Sequence, residues 1–518
     1  MDKVGFKQQI LSYGSKDNST VKTLLFGEKI EIYPRSVKEY SGVIFFIAKK
    51  IKNKFLFIYC EESSNYILFM FDGEFLPHSH KDNFIIKRCN FTTKNRQALQ
   101  GIFSFTKAVT IGLNNSFGFG DRLGLANPAH IRSVLKSDFK PILAQQSIRE
   151  LTRTNRTPAE VMDAAVWAVF QEGYDKGFGA DADHLKTIED IDLMVANGFR
   201  MFTFDPGEFV INDADHIFES ELDKLINNLD WEGLQSNIAS VTDNYVGKNF
   251  ILSDDLLINA DLITIKRALV KYGNAIAHIK RLYDHLATKY PDYNSEVEIS
   301  VDETESVTTP FEHFFFVKEL NRLGVKFISL APRFIGDFEK GIDYKGDLNL
   351  FKREYIKHLT ITKYFSNYKI SLHSGSDKFS VYKVIGSLKS SYTHIKTAGT
   401  SYIEALKIIA IKEPDLFREI FDYCSGLYDH EKKTYHVSAD LNKLKPAKEY
   451  SNEELIQLFF DDNARQVLHV TYGRVLADKL PNGEYKFKNR LLDCLKSNEE
   501  IHYEILVKHF IKHLEAFE

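Results

Sequence analysis

The stretch Gly177-Phe178-Gly179-Ala180-Asp181-Ala182-Asp183-His184 decides the fold and the function that this sequence predicts. Successive side chains of an extended strand point to opposite faces, so alternation places the two glycines and two aspartates on one face. The other face carries Phe178 and two alanines. Small residues that end in acids suit the inside of a barrel with a polar mouth. The stretch therefore predicts a buried strand that brings two carboxylates and an imidazole to a site.

The chain on either side of this stretch repeats the same organisation. Short apolar strands alternate with amphipathic helices, which is typical of repeated βα units around a parallel sheet. We predict strands at residues 108–113, 141–145, 177–184, 201–204, 297–301, 327–330, 369–373 and 392–396. This number of strands, in a span of about 300 residues, favours an α/β fold of the (β/α)8 TIM-barrel type. A doubly wound open sheet is the alternative.

Three helices of the predicted barrel begin with a capping-box pattern. The boxes are Thr157-Pro158-Ala159-Glu160, Thr309-Pro310-Phe311-Glu312 and Ser401-Tyr402-Ile403-Glu404. In this pattern a hydroxyl and a carboxylate three residues apart satisfy the first free N–H groups of the helix. We expect each helix to begin there.

The chain divides into three parts by sequence pattern. Residues 1–105 form a β-rich N-terminal domain without recognisable chemistry, for which we expect a scaffolding or oligomer role. Residues 106–414 form the barrel, with an insertion at about 208–292 that includes a helix over 262–289. Residues 415–518 are helical and charged, and we expect them to pack against the outside of the barrel.

The composition is that of a globular protein, with 44% hydrophobic and 27% charged residues. A net charge of -4 over 518 residues argues against a nucleic-acid-binding surface. No apolar run approaches the ~18 residues of a membrane span, and the N-terminus lacks an apolar signal region. The four cysteines are scattered without CxxC spacing, as in reduced intracellular proteins. We therefore expect a soluble, cytoplasmic protein that binds neither nucleic acid nor membrane.

Polar residues collect where the predicted strands end. Function in barrels of this kind gathers at the carboxyl ends of the strands. The candidates are Asp121, Arg122, Gln145, Gln146, Asp181, Asp183, His184, Asp205, Glu298, Asp302, Arg333, His373, His394 and Lys396.

The phase of strand 297–301 turns Glu298, Ser300 and Asp302 towards the inside of the barrel. An unpaired buried carboxylate costs several kcal/mol, so Glu298 needs a cationic partner, a metal or a role in proton transfer. A structural pair with a lysine or arginine inside the barrel is the alternative.

Asp183, His184 and His373 offer the oxygen and nitrogen donors that hold divalent metals. Spacing alone leaves open whether His373 is a metal ligand or a hydrogen-bonded structural group. For His394 the structural interpretation is favoured.

Two loops suit an anionic ligand. The run Gly118–Gly124 misses the spacing of a dinucleotide-binding loop, and we interpret it as an active-site loop with an anion-binding nest at Arg122. The run His373–Lys378 places backbone N–H groups beside a cation, which suits a carboxylate or a phosphate.

Long motifs give the chain a family resemblance. They are residues 116–125 (SFGFGDRLGL), 144–150 (AQQSIRE), 177–186 (GFGADADHLK), 301–305 (VDETE), 330–347 (LAPRFIGDFEKGIDYKGD), 369–380 (KISLHSGSDKFS), 394–406 (HIKTAGTSYIEAL) and 435–440 (YHVSAD). These segments resemble the tagaturonate (uronate) epimerase family and cover most of the predicted barrel. The first hundred residues resemble it much less clearly.

The resemblance implies an isomerase of hexuronate catabolism that interconverts two keto-uronates, D-tagaturonate and D-fructuronate, with a divalent cation such as Mn, Ni, Zn, Co or Fe. It implies a metal near His184, Glu339 and His373, with Asp183 and Glu298 as the acid/base pair. The candidates for substrate binding are Arg122, Asp302, Arg333, Lys378 and Lys396.

The reaction itself suggests a retro-aldol route, because the inverted carbon is β to the ketone. A metal-dependent aldolase acting on a related sugar acid or sugar phosphate is one alternative. A non-catalytic sugar-acid sensor is another. The oligomeric state stays open, with a homo-oligomer compatible with the sequence.

Overall fold

The central architecture is a closed barrel of parallel strands. The computed structural model describes residues 3–16, 19–25, 27–61, 65–76, 84–389 and 392–517. The barrel strands are β1 (Ser116–Phe119), β2 (Lys140–Ser147), β3 (Gly179–Leu185), β4 (Met201–Phe204), β5 (Glu296–Ser300), β6 (Ser329–Ala331), β7 (Lys369–Leu372) and β8 (Thr393–Thr397). Strand β8 pairs with β1 in parallel, with Ile395 opposite Phe117. This pairing closes the sheet, confirms the barrel and rules out the open doubly wound alternative.

Helices follow the barrel strands and cover their outer faces. They are Asn127–Val134, Ile148–Thr154, Pro158–Glu172, Ile188–Ala196, Leu262–Lys289, Pro310–Arg322, Leu348–Tyr364, Phe379–Ser387 and Thr400–Lys412. The helix predicted at 262–289 has the same bounds in the structure.

Two of the three predicted capping boxes are present. Thr157 with Glu160, and Thr309 with Glu312, make both reciprocal bonds. The third prediction is wrong, because the helix begins at Thr400 and Ser401 lies inside it. The Ser401 hydroxyl instead lies 2.8 Å from Nε2 of the buried His130.

The first predicted strand, 108–113, is also wrong. This segment crosses the N-terminal end of the barrel, where Val109 N donates to Phe178 O at 2.9 Å. The carboxylate of Glu296 accepts from Ile111 N at 3.0 Å and from Gly112 N at 2.8 Å. The β-branched residues of 108–113 have strand propensity, but their N–H groups are used in closing the bottom of the barrel.

The first strand of the barrel is instead Ser116–Phe119, and it overlaps the Gly-rich run Gly118–Gly124 that we interpret as a loop. Two of its residues, Ser116 and Gly118, are small. Those residues face a crowded barrel interior. A Cβ at Gly118 would lie 3.2 Å from Gln145 Oε1. Close packing of the interior therefore explains a glycine in this strand.

The insertion after β4 forms a small substructure beside the barrel. It contains helices Glu219–Asn227 and Ile238–Tyr245 and a hairpin of strands Phe250–Ser253 and Leu256–Ile258. A small core around Leu222, Ile226 and Val270 packs it against the long helix that follows.

Among its described residues, the N-terminal part contains an antiparallel sheet of seven strands. They are Val21–Leu25, Glu28–Ile32, Lys38–Tyr40, Val43–Lys50, Asn53–Cys60, Glu74–Phe75 and Ile85–Cys89. Helices Lys3–Tyr13, Ile67–Met70 and Thr93–Ile102 accompany the sheet.

The C-terminal part is helical, as predicted. Its helices are Pro414–Glu431, Asn452–Gln457, Asp462–Val470, Tyr472–Ala477, Lys488–Ser497 and Glu499–Glu515. The last helix joins the barrel core through Phe510, whose ring centroid lies 5.0 Å from that of Phe119 in β1. Across the described ranges, no helix is both long and apolar enough for a membrane crossing.

Candidate active site

A cleft opens at the carboxyl ends of the barrel strands. Its walls are formed by loops after several strands together with side chains from the C-terminal helices. The lining residues are Arg122, Gln145, Ser147, Arg149, Glu150, Asp183, His184, Glu303, Lys340, Gly341, His373, Ser374, Ser376, Lys378, Lys396, Ala398, Tyr435, His469 and Tyr472. Asp183, His184 and His373 therefore meet at one place although they are far apart in sequence.

A bulge in β3 turns two consecutive side chains into this cleft. The pairing of β3 with β4 slips between Ala182 and Leu185, and His184 has a φ of 52°. A regular strand would point Asp183 and His184 to opposite faces. The extra residue of the bulge and the left-handed backbone at His184 redirect the imidazole. Such strain in a non-glycine residue is typical of functional sites.

The two imidazoles of the cleft are held in the same way. His184 Nδ1 lies 3.3 Å from Asp205 Oδ2, and His373 Nδ1 lies 3.2 Å from Asp302 Oδ1. The opposite nitrogens face other carboxylates. His184 Nε2 lies 3.8 Å from Asp183 Oδ1, and His373 Nε2 lies 2.6 Å from Glu298 Oε1.

Lys396 contacts three buried carboxylates inside the barrel. Its Nζ lies 2.7 Å from Asp181 Oδ2, 2.7 Å from Asp183 Oδ1 and 2.6 Å from Glu298 Oε1. It also donates to Thr203 Oγ1 at 2.8 Å. The ammonium is thus occupied by three buried carboxylates. This is the cationic partner that an inward Glu298 requires.

These contacts shift the pKa values of the cluster in opposite directions. Burial raises the pKa of Asp181 to about 6, although Lys396 opposes the rise. For Asp183, burial is outweighed by Lys396 and His184, which lower its pKa. Burial would lower the pKa of His184, but the charges of Asp183 and Asp205 raise it to about 10. Asp183 is therefore held ionised beside two imidazoles.

The two predicted acid/base residues, Asp183 and Glu298, differ in their access to the cleft. Asp183 lines the cleft, where Gln145 Nε2 also donates to its Oδ2 at 3.3 Å. Glu298 has no exposed surface and lies below the cleft wall, behind His373 and Lys396. The structure brings both carboxylates into one network, but Asp183 is the one that faces the opening.

Three predicted site residues have other surroundings. Glu339 accepts from Ser438 Oγ at 2.7 Å and from Gln466 Nε2 at 2.6 Å, and it is absent from the groups of described side chains that could share a metal ion. Lys378 reaches the cleft wall, but its Nζ donates to the carbonyl oxygens of Glu339, Ile342 and Ser376. The third residue, Arg333, is not part of the cleft lining.

Arg122, a candidate for substrate binding, lines the cleft. Its Nε donates to Glu150 Oε1 at 2.9 Å, and its guanidinium lies 3.5 Å from the ring centroid of Tyr472. Nη1 of Arg122 is buried and has no hydrogen-bond partner among the residues described. A fixed guanidinium with a free N–H edge can bind a carboxylate.

The sequence pattern does not predict the residues that cover the cleft. Tyr435, His469 and Tyr472 come from the C-terminal helical part, which was expected to pack on the outside of the barrel. The pattern also does not predict Lys340, whose Nζ donates to Ser374 Oγ at 3.1 Å. Tyr435 lies in a segment that carried the family resemblance, so that motif was the available signal for it.

The donor set around His184 and His373 fits a divalent cation. Ligand atoms of Asp183, His184 and His373 lie within 4.8 Å of one another. Metal-bound histidines usually donate their second N–H to a carboxylate, which matches the contacts with Asp205 and Asp302. Glu298 Oε2 and Gln145 Oε1 are buried without a partner in the described part of the chain, so the site has spare acceptors.

The chain has close relatives of named activity. A family model described as tagaturonate epimerase matches residues 33–517. The tagaturonate/fructuronate epimerase of Thermotoga maritima is 42% identical over 493 residues, which cover 95% of this chain and 98% of that protein.

The fold has solved counterparts as well. The native crystal structure of fructuronate-tagaturonate epimerase UxaE from Cohnella laeviribosi is 37% identical, with a TM-score of 0.86. A complex of the same enzyme with one glycerol has a TM-score of 0.87. Both comparisons cover 94% of this chain and 96% of the other. The chain therefore belongs to the tagaturonate epimerase family.

Proposed function

We propose that this chain is a divalent-metal-dependent isomerase that interconverts D-tagaturonate and D-fructuronate. The observation that supports this most strongly is the pair of imidazoles, His184 and His373. Each has its Nδ1 beside a carboxylate and its Nε2 turned to the cluster that contains Asp183. The relatives of the chain are named for this epimerisation.

His184 and His373 would hold the cation through Nε2. Glu339, predicted as a further ligand, is not among the proposed ligands because Ser438, Gln466 and Lys345 occupy its carboxylate. A divalent cation in this position acts as a Lewis acid that stabilises negative charge on substrate oxygens.

The two keto-acids differ at C4, whereas the ketone is at C2. Removing a proton from C3, next to the ketone, cannot invert C4. In a retro-aldol route a base removes the proton of the C4 hydroxyl, and the O–H electron pair forms the C4 carbonyl. The C3–C4 bond breaks, and its electron pair moves onto the ketone side as an enediolate. The aldehyde turns, C3 attacks its other face, and the new C4 alkoxide takes the proton back.

Asp183 is placed to act as this base. It lines the cleft and is kept ionised by Lys396, whose Nζ lies 2.7 Å away. A general base must be unprotonated and able to reach the proton that it removes. Glu298 has a different role in this proposal. Since it is covered by His373 and Lys396, it does not contact the substrate. It positions Lys396, whose Nζ lies 2.6 Å from its Oε1.

Turnover of fructuronate in D₂O tests both the function and the route. We expect tagaturonate to form without deuterium at C4, because C4 keeps its hydrogen throughout a retro-aldol cycle. Deuterium at C4 would show deprotonation of that carbon and would exclude the route. Absence of tagaturonate would contradict the function itself.

The same incubation separates the two alternatives. An aldolase would accumulate three-carbon products from the sugar acid. A sensor would bind the acid without any conversion. Trapping small amounts of a three-carbon aldehyde during epimerisation, without net accumulation, is the result that the proposal predicts.

A further inference from the structure

Five basic side chains line the cleft: Arg122, Arg149, Lys340, Lys378 and Lys396. Most of them are committed within the protein. Arg122 pairs with Glu150, and Arg149 Nη2 lies 2.8 Å from Glu303 Oε1. Lys378 is bound to backbone carbonyls and Lys396 to three carboxylates.

Among the described residues, Lys340 has neither the carboxylate partner of Arg122, Arg149 and Lys396 nor the set of backbone acceptors of Lys378. Its Nζ donates to the hydroxyl of Ser374 at 3.1 Å, and no carboxylate of the described ranges lies within 4.0 Å of it. Ser374 directly follows His373 in the sequence. The ammonium group is therefore at the active site with its charge uncompensated by the described part of the protein.

Buried cations bind the backbone of the loop that carries Lys340. The buried Lys378 Nζ donates to Glu339 O at 2.8 Å and also to Ile342 O. The Nε of Arg465 donates to Gly341 O at 2.7 Å. Three carbonyls flanking Lys340 are thus bound by buried cations, which fixes the backbone from which its side chain extends. A binding group on a fixed backbone loses less entropy when it binds its ligand.

The same end of the cleft contains a neutral imidazole. Burial lowers the pKa of His469 well below its usual value, and the charges of Arg122, Lys340, Lys378 and Arg465 lower it further. Arg122, which also lines the cleft, has a buried Nη1 without a hydrogen-bond partner among the described residues. Positive charge is thus concentrated at this end, whereas the carboxylates Asp181, Asp183 and Glu298 surround Lys396.

We propose that Lys340, together with the free Nη1 of Arg122, binds the carboxylate of the keto-uronate. This inference rests on the proposed function and adds the basis of its specificity for acids over neutral sugars. It also has a consequence for the chemistry. After the C3–C4 bond breaks, the carboxylate stays on the aldehyde fragment, so the cations retain that fragment while its carbonyl turns.

Binding of D-mannonate and D-mannitol to the Mn²⁺-loaded protein tests the inference without turnover. D-mannonate carries a carboxylate at the position where D-mannitol carries a CH₂OH group. The variants are Lys340→Met and Lys340→Arg. Lys326→Met is the matched control, because Lys326 is exposed and precedes β6 at the other end of the barrel.

We expect Lys340→Met to weaken D-mannonate binding by about 10- to 100-fold, the effect of losing one charge-assisted hydrogen bond. Binding of D-mannitol should change less than about twofold. Lys340→Arg should keep most of the affinity for D-mannonate, and Lys326→Met should behave as wild type. Isothermal titration calorimetry gives all of these constants.

Equal losses for the two ligands in Lys340→Met would overturn the inference, since they would show a general disturbance of the cleft. Unchanged D-mannonate binding would overturn it as well. A failure of the wild type to epimerise fructuronate would instead refute the proposed function, because the binding comparison needs no catalysis. With fructuronate as substrate, Lys340→Met should also release more of the three-carbon aldehyde per turnover.

Discussion

His373 Nδ1 lies 3.2 Å from Asp302 Oδ1, so the ring is fixed with its other nitrogen towards the interior of the site. The side chain of His373 is 3% exposed and that of Asp302 is 15% exposed, so water screens the pair only weakly. A carboxylate in this position orients the ring and makes the free nitrogen more basic. Asp205 has the same relationship to His184.

Replacing Asp302 with alanine should weaken metal binding by about 10- to 100-fold, because His373 loses the group that orients it. Titration of the metal-free protein with Mn²⁺ measures the change. Asp284→Ala is a suitable control, since Asp284 is an exposed partner of Lys280 on the outer helix. Unchanged affinity in Asp302→Ala would show that His373 does not bind the metal or needs no orienting partner.

Lys396→Met should strongly destabilise the fold. Removing the ammonium leaves Asp181, Asp183 and Glu298 buried without their shared cation. Breaking a buried ion pair from one side costs about 3–5 kcal/mol. Urea unfolding at pH 7 measures this loss. Adding Asp181→Asn should recover part of it, because one buried charge fewer remains. A variant as stable as wild type would contradict the assigned role of Lys396.

Acid should destabilise the protein through His358, a buried residue away from the cleft. His358 Nδ1 lies 2.8 Å from His313 Nδ1, and burial lowers the pKa of His358 to about 4. In the unfolded chain this imidazole titrates near pH 6.5, so below that pH the unfolded state binds the proton first. The contribution is favourable above pH 6.5 and is lost as the pH falls from 6.5 towards 4.

His358→Gln tests that expectation through its pH dependence. At pH 7 the variant should be less stable than wild type because the hydrogen bond with His313 is altered. At pH 4.5 the wild type should have lost about 2–3 kcal/mol of unfolding free energy, a loss that the variant does not suffer. The difference in unfolding free energy between wild type and variant should therefore shrink or reverse. Urea unfolding at the two pH values measures it. A difference independent of pH would mean that His358 titrates normally in the folded protein.

Gly399→Ala should disturb the cover of the cleft. A Cβ at Gly399 would lie 2.1 Å from Cε1 and 2.5 Å from Nδ1 of His469, which is itself buried. Overpacking of this kind typically costs about 1–3 kcal/mol. We expect a lower melting temperature and a higher KM for fructuronate. Gly426→Ala is the control, as a Cβ there meets nothing within 4 Å. Wild-type kinetics in Gly399→Ala would show that His469 does not shape the cleft.

The barrel could be predicted from sequence because its strands are apolar runs that end in polar residues. The strand with Asp181 and Asp183 is the clearest case, since small residues and acids alternate with apolar ones. Ser116–Phe119 could not be predicted as a strand because a short strand with an inward glycine lacks that pattern. The strand predicted at 108–113 is wrong because β-branched residues also suit an extended segment that covers the end of the barrel.

The site could be predicted in part because alternation along a strand shows which side chains point into the barrel. Inward phase identified Glu298 and His373, but it could not show that His184 turns inward, which depends on a local bulge. Lys340 and His469 belong to a loop and a helix whose sequences have no strand phase, so periodicity gave no information about them. Which cation is left uncompensated depends on contacts between distant segments, and these appear only in the folded chain.

The most direct test of the account is metal dependence of the epimerisation. Metal-stripped protein is incubated with D-fructuronate, individual divalent ions are added back, and D-tagaturonate is followed by NMR. We expect no conversion without metal and recovery of conversion with at least one ion. The His184→Ala, His373→Ala double variant should give no conversion with or without added metal. Full conversion by the stripped protein, or by that double variant, would contradict the central claim that these two histidines hold a catalytic cation.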